Sequence, residues 1–128
     1  MSASIIDGKK LAESARASIR RRAGAVRDRG VEARLDAVIV GQEDNAARVY
    51  AQRQCSTCES LGIGHKLHEL PDDAGEREII EYVEGLNSTD EITAIMVHMP
   101  LPTGVREDAV KAAIAPLKDV EGVTPANI

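Results

Sequence analysis

The chain has 128 residues, a length that suits one domain with a substantial core. It is 43% hydrophobic and 29% charged, as is ordinary for a soluble globular protein, and no apolar run reaches the roughly 20 residues of a membrane span. The net charge of −5, with two Tyr and neither Phe nor Trp, argues against a nucleic-acid surface, which needs positive charge and stacking rings. We therefore expect neither a membrane nor a nucleic acid among its partners.

The first third of the chain predicts a helix followed by a buried strand. Residues 5–6 are apolar and indicate a short strand or an arm, and Asp7 is a candidate cap for a helix over 9–29. Gly30 ends that helix. Its apolar residues recur at spacings of three and four and form one stripe: Leu11, Ala15, Ile19, Ala23 and Val26. The run 35–40 is rich in β-branched residues and predicts a buried strand.

The rest of the chain alternates helices with strands. The predicted elements are a helix over 45–61 capped by Asp44 or Asn45, a strand over 65–70, a helix over 76–86, a strand over 92–99 and a helix over 105–114. This alternation predicts an α/β fold, a three-layer α/β/α domain over residues 1–128 with a mostly parallel central sheet. The strands at 36–40 and 93–98 are the most apolar, so we expect both to be central.

Ligands of open α/β sheets bind where the carboxyl ends of the strands meet. The strand at 36–40 leads into a helix whose Tyr50 and Gln54 lie one turn apart on the same face. The strand at 93–98 leads to His98 and the Pro-Leu-Pro loop 100–102. These residues predict a cleft at that edge of the sheet.

Four segments carry a resemblance to a known family. They are Ile6-Asp7-Gly8-Lys9, Val40-Gly41 through Val49-Tyr50, Met99-Pro100-Leu101-Pro102, and Lys118-Asp119-Val120-Glu121-Gly122. On these residues the chain resembles the N-terminal catalytic domain of the bifunctional methylenetetrahydrofolate dehydrogenase/methenyltetrahydrofolate cyclohydrolase family. The resemblance implies an enzyme of one-carbon folate metabolism. Such an enzyme oxidises methylenetetrahydrofolate with NADP and hydrolyses the methenyl product to formyltetrahydrofolate.

The resemblance also implies the site residues. The catalytic candidates are Tyr50, Gln54 and His98, and the substrate-binding candidates are these three with Pro100, Leu101, Pro102 and Glu121. Gln54 stands where the family has Lys, His98 where it has Gln, and Glu121 where it has Asp. A Gln side chain has no titratable proton, so hydrolysis is less expected than oxidation. His98 could restore proton transfer, because its ordinary pKa is about 6.5. Alternatively, His98 caps a loop carbonyl. The alternative for Glu121 is an exposed loop acid.

The family's NADP-binding domain follows this region, and we find no counterpart to it. Gly62-Ile63-Gly64 precedes a strand rather than a helix, unlike a dinucleotide fingerprint. We therefore expect a fragment of a longer chain, without dehydrogenase activity by itself, whose full-length relatives are homodimers. A natural stand-alone domain stays open, as does a catalytically degenerate domain that serves as a binding or assembly module. No signal peptide is recognisable, so the expected location is the cytoplasm.

The other histidines and the cysteines do not predict a site. His65 and His68 alternate along a strand without acidic partners in any motif spacing, so we expect both to be exposed. Cys55 and Cys58 form a C-x-x-C in the middle of a helix, whereas a redox motif begins one. Two thiols do not complete a zinc site, so we predict helix-packing thiols and no metal.

Overall fold

The computed structural model describes residues 2–41 and 46–128. Its elements are α1 (Gly8–Asp28), β1 (Arg34–Val40), α2 (Ala46–Leu61), β2 (Gly64–Leu70), α3 (Glu76–Asn87), β3 (Ala94–Val97), α4 (Glu107–Ala113) and a 3-10 turn (Pro125–Asn127). Every predicted helix and long strand is present, with small differences at the ends. Ile5 and Ile6 form no strand and are 96% and 80% exposed. The predicted caps Asp44 and Asn45 lie outside the described residues.

The three strands form a parallel sheet in the order β2-β1-β3. Val38 of β1 is in register with His68 of β2 and with Val97 of β3. The parallel α/β fold is thus confirmed, but the prediction that both apolar strands are central is wrong, because β3 has only one full neighbour. A strand is apolar when both of its faces are buried. Helices can bury both faces of β3 whether β3 lies at the centre or at the edge of the sheet.

Helices cover both faces of the sheet, which gives the predicted three layers. Alternate side chains of β1 point to opposite faces. One face joins the core of α3 and α4, whose members include Val38, Val40, Ile79, Val83 and Val110. The other face lies under α2, where Gln54 donates a hydrogen bond to Met96 of β3. The main core therefore lies between the sheet and α3 with α4.

Helix α1 begins where the sequence predicts it. The Asp7 side chain accepts a hydrogen bond from the Lys10 backbone N–H at 3.1 Å and caps the helix. Arg20 and Arg27 donate to backbone carbonyls at the end of α2 and tie the two helices together. Of the five residues in the predicted apolar stripe, only Ala23 is buried. The stripe itself is correct as a pattern, but the described residues do not cover it.

A buried carboxylate lies at the start of β1. Asp36 is fully buried and accepts two hydrogen bonds from Arg34, at 2.7 and 2.9 Å. It accepts a third from His68 Nε2 at 2.6 Å, and His68 Nδ1 lies 2.6 Å from the Tyr82 hydroxyl. Burial raises the pKa of Asp36, but the hydrogen bonds from Arg34 and His68 outweigh it and the net shift is downward.

The prediction that His68 is exposed is therefore wrong: the residue is 7% exposed. A buried carboxylate needs hydrogen-bond donors, and His68 lies on the neighbouring strand and the same face as Asp36. His65, on the other face, is half-buried rather than exposed.

Lys118 fixes the segment that follows α4. Its ammonium donates to the backbone carbonyls of Asn87 at 2.9 Å and Thr89 at 2.8 Å, just after α3. Its own carbonyl accepts a hydrogen bond from the Ile95 N–H at 2.8 Å. The segment therefore runs along the outer side of β3.

Asp119 then closes the turn that carries Glu121. Its Oδ2 accepts from the Thr124 backbone N–H at 2.8 Å and from the Asn127 side chain at 3.1 Å. Burial raises the pKa of Asp119, but these hydrogen bonds and one from the Val123 N–H outweigh it and lower the pKa to about 2. The ionised carboxylate thus stabilises the turn.

The buried carboxylate gives a test of stability. We expect Asp36→Asn to lower the free energy of unfolding by about 3 kcal/mol or more, because it removes the charge that compensates Arg34 and turns one of the two acceptor oxygens that face Arg34 and His68 into a donor. Urea unfolding of the 128-residue chain measures this. The matched control is Glu81→Gln, which breaks the exposed pair with Arg77 and should cost less than about 0.5 kcal/mol. Equal losses in both variants would contradict the assignment.

The turn at Asp119 predicts a pH dependence. Because the folded pKa of about 2 lies below the ordinary 3.8, the stabilisation is present above pH 3.8 and is lost as the pH falls toward 2. Asp119→Asn should cost on the order of 1 kcal/mol at neutral pH once solvent screening is allowed for. Unfolding curves of both proteins should converge as the pH is lowered through this range. A difference that stays constant with pH would show that the carboxylate charge is not the cause.

Candidate functional site

A cavity of about 560 Å³ lies at the carboxyl edge of the sheet. It is bounded by the first turns of α2, the end of β3, the end of α4 and the C-terminal segment. We call it the edge cavity; the residues used below that line it are Tyr50, Met96, His98, Met99, Pro100, Lys111 and Glu121. Its place is the one that the sequence predicts for a ligand.

Tyr50 and His98 meet in the edge cavity. Their rings pack edge to face, with centroids 5.8 Å apart and an angle of 76° between the planes. Tyr50 is 58% exposed, whereas His98 is 4% exposed. The His98 backbone N–H donates to the Val38 carbonyl at 2.8 Å and continues the sheet ladder past β3. The sheet thus sets the position of the imidazole.

The imidazole of His98 has a free nitrogen. Its Nε2 is buried and has no hydrogen-bond partner among the described residues. Burial lowers the pKa of His98, and the nearby His65 lowers it further. The ring is therefore neutral at neutral pH and offers a basic or donating nitrogen, according to its tautomer.

Gln54 does not line the edge cavity. Its side-chain N–H donates to Met96 Sδ at 2.9 Å, and its Oε1 lies 3.2 Å from His65 Nε2. The amide therefore lies between α2 and the sheet, next to a methionine that does line the cavity. Sequence reasoning placed Gln54 on the same helical face as Tyr50, but that spacing does not show how deep each side chain lies.

The Pro-Leu-Pro loop contributes through one of its three predicted residues. Pro100, which follows a cis peptide bond, lines the edge cavity together with Met99. Leu101 is 8% exposed and belongs to the main core. Pro102 does not line the cavity, and its carbonyl accepts a hydrogen bond from the Val105 N–H. Leu101 thus anchors the loop, and a binding role for Leu101 or Pro102 stays a prediction.

Glu121 and Lys111 place opposite charges on the wall of the edge cavity. Glu121 is exposed as a residue, but partial burial of its carboxyl group raises its pKa, and so does Asp119, while Lys111 opposes the shift. Sequence reasoning missed Lys111, because a single Lys on a short helix is ordinary. Only the packing of α4 brings it to the cavity.

The described residues do not gather the ligands of a metal site, and Gly62 does not form a dinucleotide-binding turn. No cluster of three or more His, Cys, Asp and Glu residues able to hold a metal occurs among them. Cys58 is buried, which raises the pKa of its thiol, and Cys55 is half-buried, as expected of packing thiols. Gly62 has a φ of 75° and leads from α2 into β2, the opposite direction to a strand-to-helix phosphate turn. Gly62 therefore does not provide a dinucleotide-binding turn.

In the ranges 2–41 and 46–128 each helix is too short or too polar to span a lipid bilayer.

Comparison with known proteins gives consistent matches. The family model described as "Tetrahydrofolate dehydrogenase/cyclohydrolase, catalytic domain" matches residues 6–121. A curated relative, "Bifunctional protein FolD" of Moorella thermoacetica, is 38% identical over 128 residues, which are 100% of this chain and 45% of that protein. The chain thus spans less than half the length of that relative.

Solved structures agree in fold. The bifunctional FolD enzyme of Campylobacter jejuni superposes with a TM-score of 0.93 at 26% identity, covering 98% of this chain and 44% of that one. The Trypanosoma brucei enzyme, described as complexed with NADP cofactor and inhibitor, gives a TM-score of 0.88 at 23% identity, covering 98% and 43%, and supports the fold alone. On the family match and these relatives, the chain belongs to the tetrahydrofolate dehydrogenase/cyclohydrolase family and corresponds to its catalytic domain.

Proposed function

We propose that this chain is the folate-binding catalytic domain of an enzyme that oxidises methylenetetrahydrofolate to methenyltetrahydrofolate with NADP. One observation carries the proposal. Tyr50, Pro100 and Glu121 come from three separate motifs of the sequence, His98 directly precedes the Met99-Pro100-Leu101-Pro102 motif, and all four line the same edge cavity. The cavity alone does not distinguish an enzyme from a folate-binding module, so the proposal depends on a measured reaction.

The cavity suits one orientation of a pterin-like ring. A carboxylate at Glu121 accepts hydrogen bonds from an amide N–H and an amine on one edge of such a ring. Tyr50 and Pro100 supply flat apolar contacts for its faces. The carbon to be oxidised would then lie toward His98.

Hydrolysis of the methenyl group is the weaker activity, and we assign its proton transfer to His98. The substrate is a cation, which a neutral imidazole does not repel. As water forms a bond to the methenyl carbon, His98 Nε2 takes the proton of the water. The bond from that carbon to one folate nitrogen then breaks and the nitrogen receives this proton. The remaining hydroxyl proton is lost to solvent as the C=O bond forms, which leaves a formyl group on the other nitrogen.

The hydride acceptor is assigned outside this chain. Because Gly62 does not form a dinucleotide-binding turn and the chain matches only 45% of its curated relative, we place the NADP site in the unmatched part of the relatives and derive no step through it. Homodimer formation, a cytoplasmic location and the assignment of residues 1–128 to one domain stay predictions.

The rival function is a folate-binding module without turnover. Gln54 is hydrogen-bonded away from the cavity. This favours the binding module if His98 does not replace the family's Lys as the proton-transfer group.

Hydrolysis tests the proposal on the 128-residue chain itself, because it needs no nucleotide. We expect measurable loss of methenyltetrahydrofolate absorbance, and His98→Gln should lower kcat by about 10²-fold or more while binding changes little. Binding is measured by titration of the same compound. Turnover that is unaffected in His98→Gln would reject His98 as the proton acceptor. Tight binding without turnover in the parent would support the binding module.

An exchange of residues gives a sharper test. The family has Lys on the helix and Gln at the strand end, whereas this chain has Gln54 and His98. If each arrangement places one proton-transfer group at the cavity, adding Gln54→Lys to His98→Gln should recover most of the lost hydrolysis. The control adds Gln54→Met instead, which fills a similar volume without a titratable group and should recover nothing. Recovery by both would mean that packing, not proton transfer, limits the rate.

A further inference from the structure

The Gln54 amide connects α2 to two strands at once. Its Oε1 lies 3.2 Å from His65 Nε2 on β2, and its N–H donates to Met96 Sδ on β3 at 2.9 Å. Since the strand order is β2-β1-β3, the amide lies across the central strand. The residue of β1 in register with Met96 is Ala37, which is fully buried and small enough to leave room for it.

The proton of His65 can be assigned from this geometry. Burial lowers the pKa of His65, so its ring is neutral and carries one proton. Gln54 Oε1 only accepts hydrogen bonds, so the proton lies on Nε2. The other ring nitrogen, Nδ1, is buried without a partner in the described part of the chain. The bond to Gln54 is therefore what orients the His65 ring.

The same bond reaches the edge cavity along the helix. Gln54 and Tyr50 lie one turn apart in α2, so a displacement of this part of the helix on the sheet moves both residues. The Tyr50 ring packs edge to face on His98 with centroids 5.8 Å apart. The contacts thus run from His65 through Gln54 and Tyr50 to His98.

We propose that His65 is a positioning residue of this site: through Gln54 it fixes α2 on the sheet and so sets the contact between Tyr50 and His98. The effect of His65 on turnover rests on the proposed function, whereas its effect on the contact between Tyr50 and His98 does not. The family resemblance assigns His65 no role, and the sequence predicts only an exposed residue. The hydrogen bond between the half-buried His65 and Gln54 is the reason for assigning His65 this positioning role.

The first experiment reads the geometry without any reaction. The imidazole C–H signals of His98, assigned by their absence in His98→Gln, are recorded by NMR for the 128-residue chain. His65→Leu should move them, because the ring of Tyr50 shifts the resonances of the imidazole it contacts. Gln54→Leu should move them similarly, and the double variant should add little. His65→Gln keeps a donor for Gln54 and should restore most of the parent signals.

The matched control is His68→Gln. His68 lies on the same strand, but it faces the opposite side of the sheet, where it contacts Asp36 and Tyr82. It should lower the thermal midpoint and leave the His98 signals in place. The proposal is overturned if His65→Leu leaves those signals unchanged, or if His68→Gln moves them as much as His65→Leu does.

The second experiment connects the geometry to turnover. In hydrolysis of methenyltetrahydrofolate, His65→Leu should lower kcat by about tenfold to 10²-fold with a smaller change in KM, because the ligand still binds and the proton acceptor is misplaced. His65→Gln should recover most of that loss. If the parent shows no turnover while the NMR shifts follow the expected pattern, the proposed function fails and the positioning role stands. If turnover is present and His65→Leu does not reduce it, the catalytic part of this inference is wrong.

Discussion

The structure depends on the double pairing of β1. A central parallel strand holds both neighbours in one direction, so their carboxyl ends meet at one edge of the sheet. The ladder extends to the Val38 carbonyl, which accepts the His98 N–H at 2.8 Å. The side chain to which we assign proton transfer is thereby attached to the central strand of the sheet. Asp36 is buried in this strand, and Arg34 and His68 offset the free-energy cost of burying its charge.

The fold was largely predictable from periodicity, and the place of the site from topology. Runs of β-branched residues and helical stripes predict the elements, and the alternation of elements predicts the parallel sheet. The fates of His65, His68 and Gln54 were not predictable, because each depends on a partner distant in the sequence. The buried His68 has Asp36 and Tyr82 as its partners, and the Gln54 amide has His65 and Met96.

Lys111 and β3 show two further limits of the sequence. Lys111 reaches the cavity through the packing of α4, which no local pattern encodes. The strand β3 is apolar because helices cover its faces, and this gives no information about its place in the sheet order. The four family motifs, by contrast, pointed to the edge where the cavity lies, since three of them supply residues that line it.

The C-terminal segment also has a consequence for how the chain behaves among other proteins. A strand at the edge of a sheet presents unpaired backbone groups that can template pairing with another chain. Here the bridge between Ile95 and Asp119, with the Lys118 carbonyl accepting the Ile95 N–H, occupies part of the outer side of β3. The motif that presents Glu121 to the cavity thus also shields an edge strand from intermolecular β-pairing. Substitutions in it are therefore under a second constraint, which is to keep the protein from aggregating through this edge.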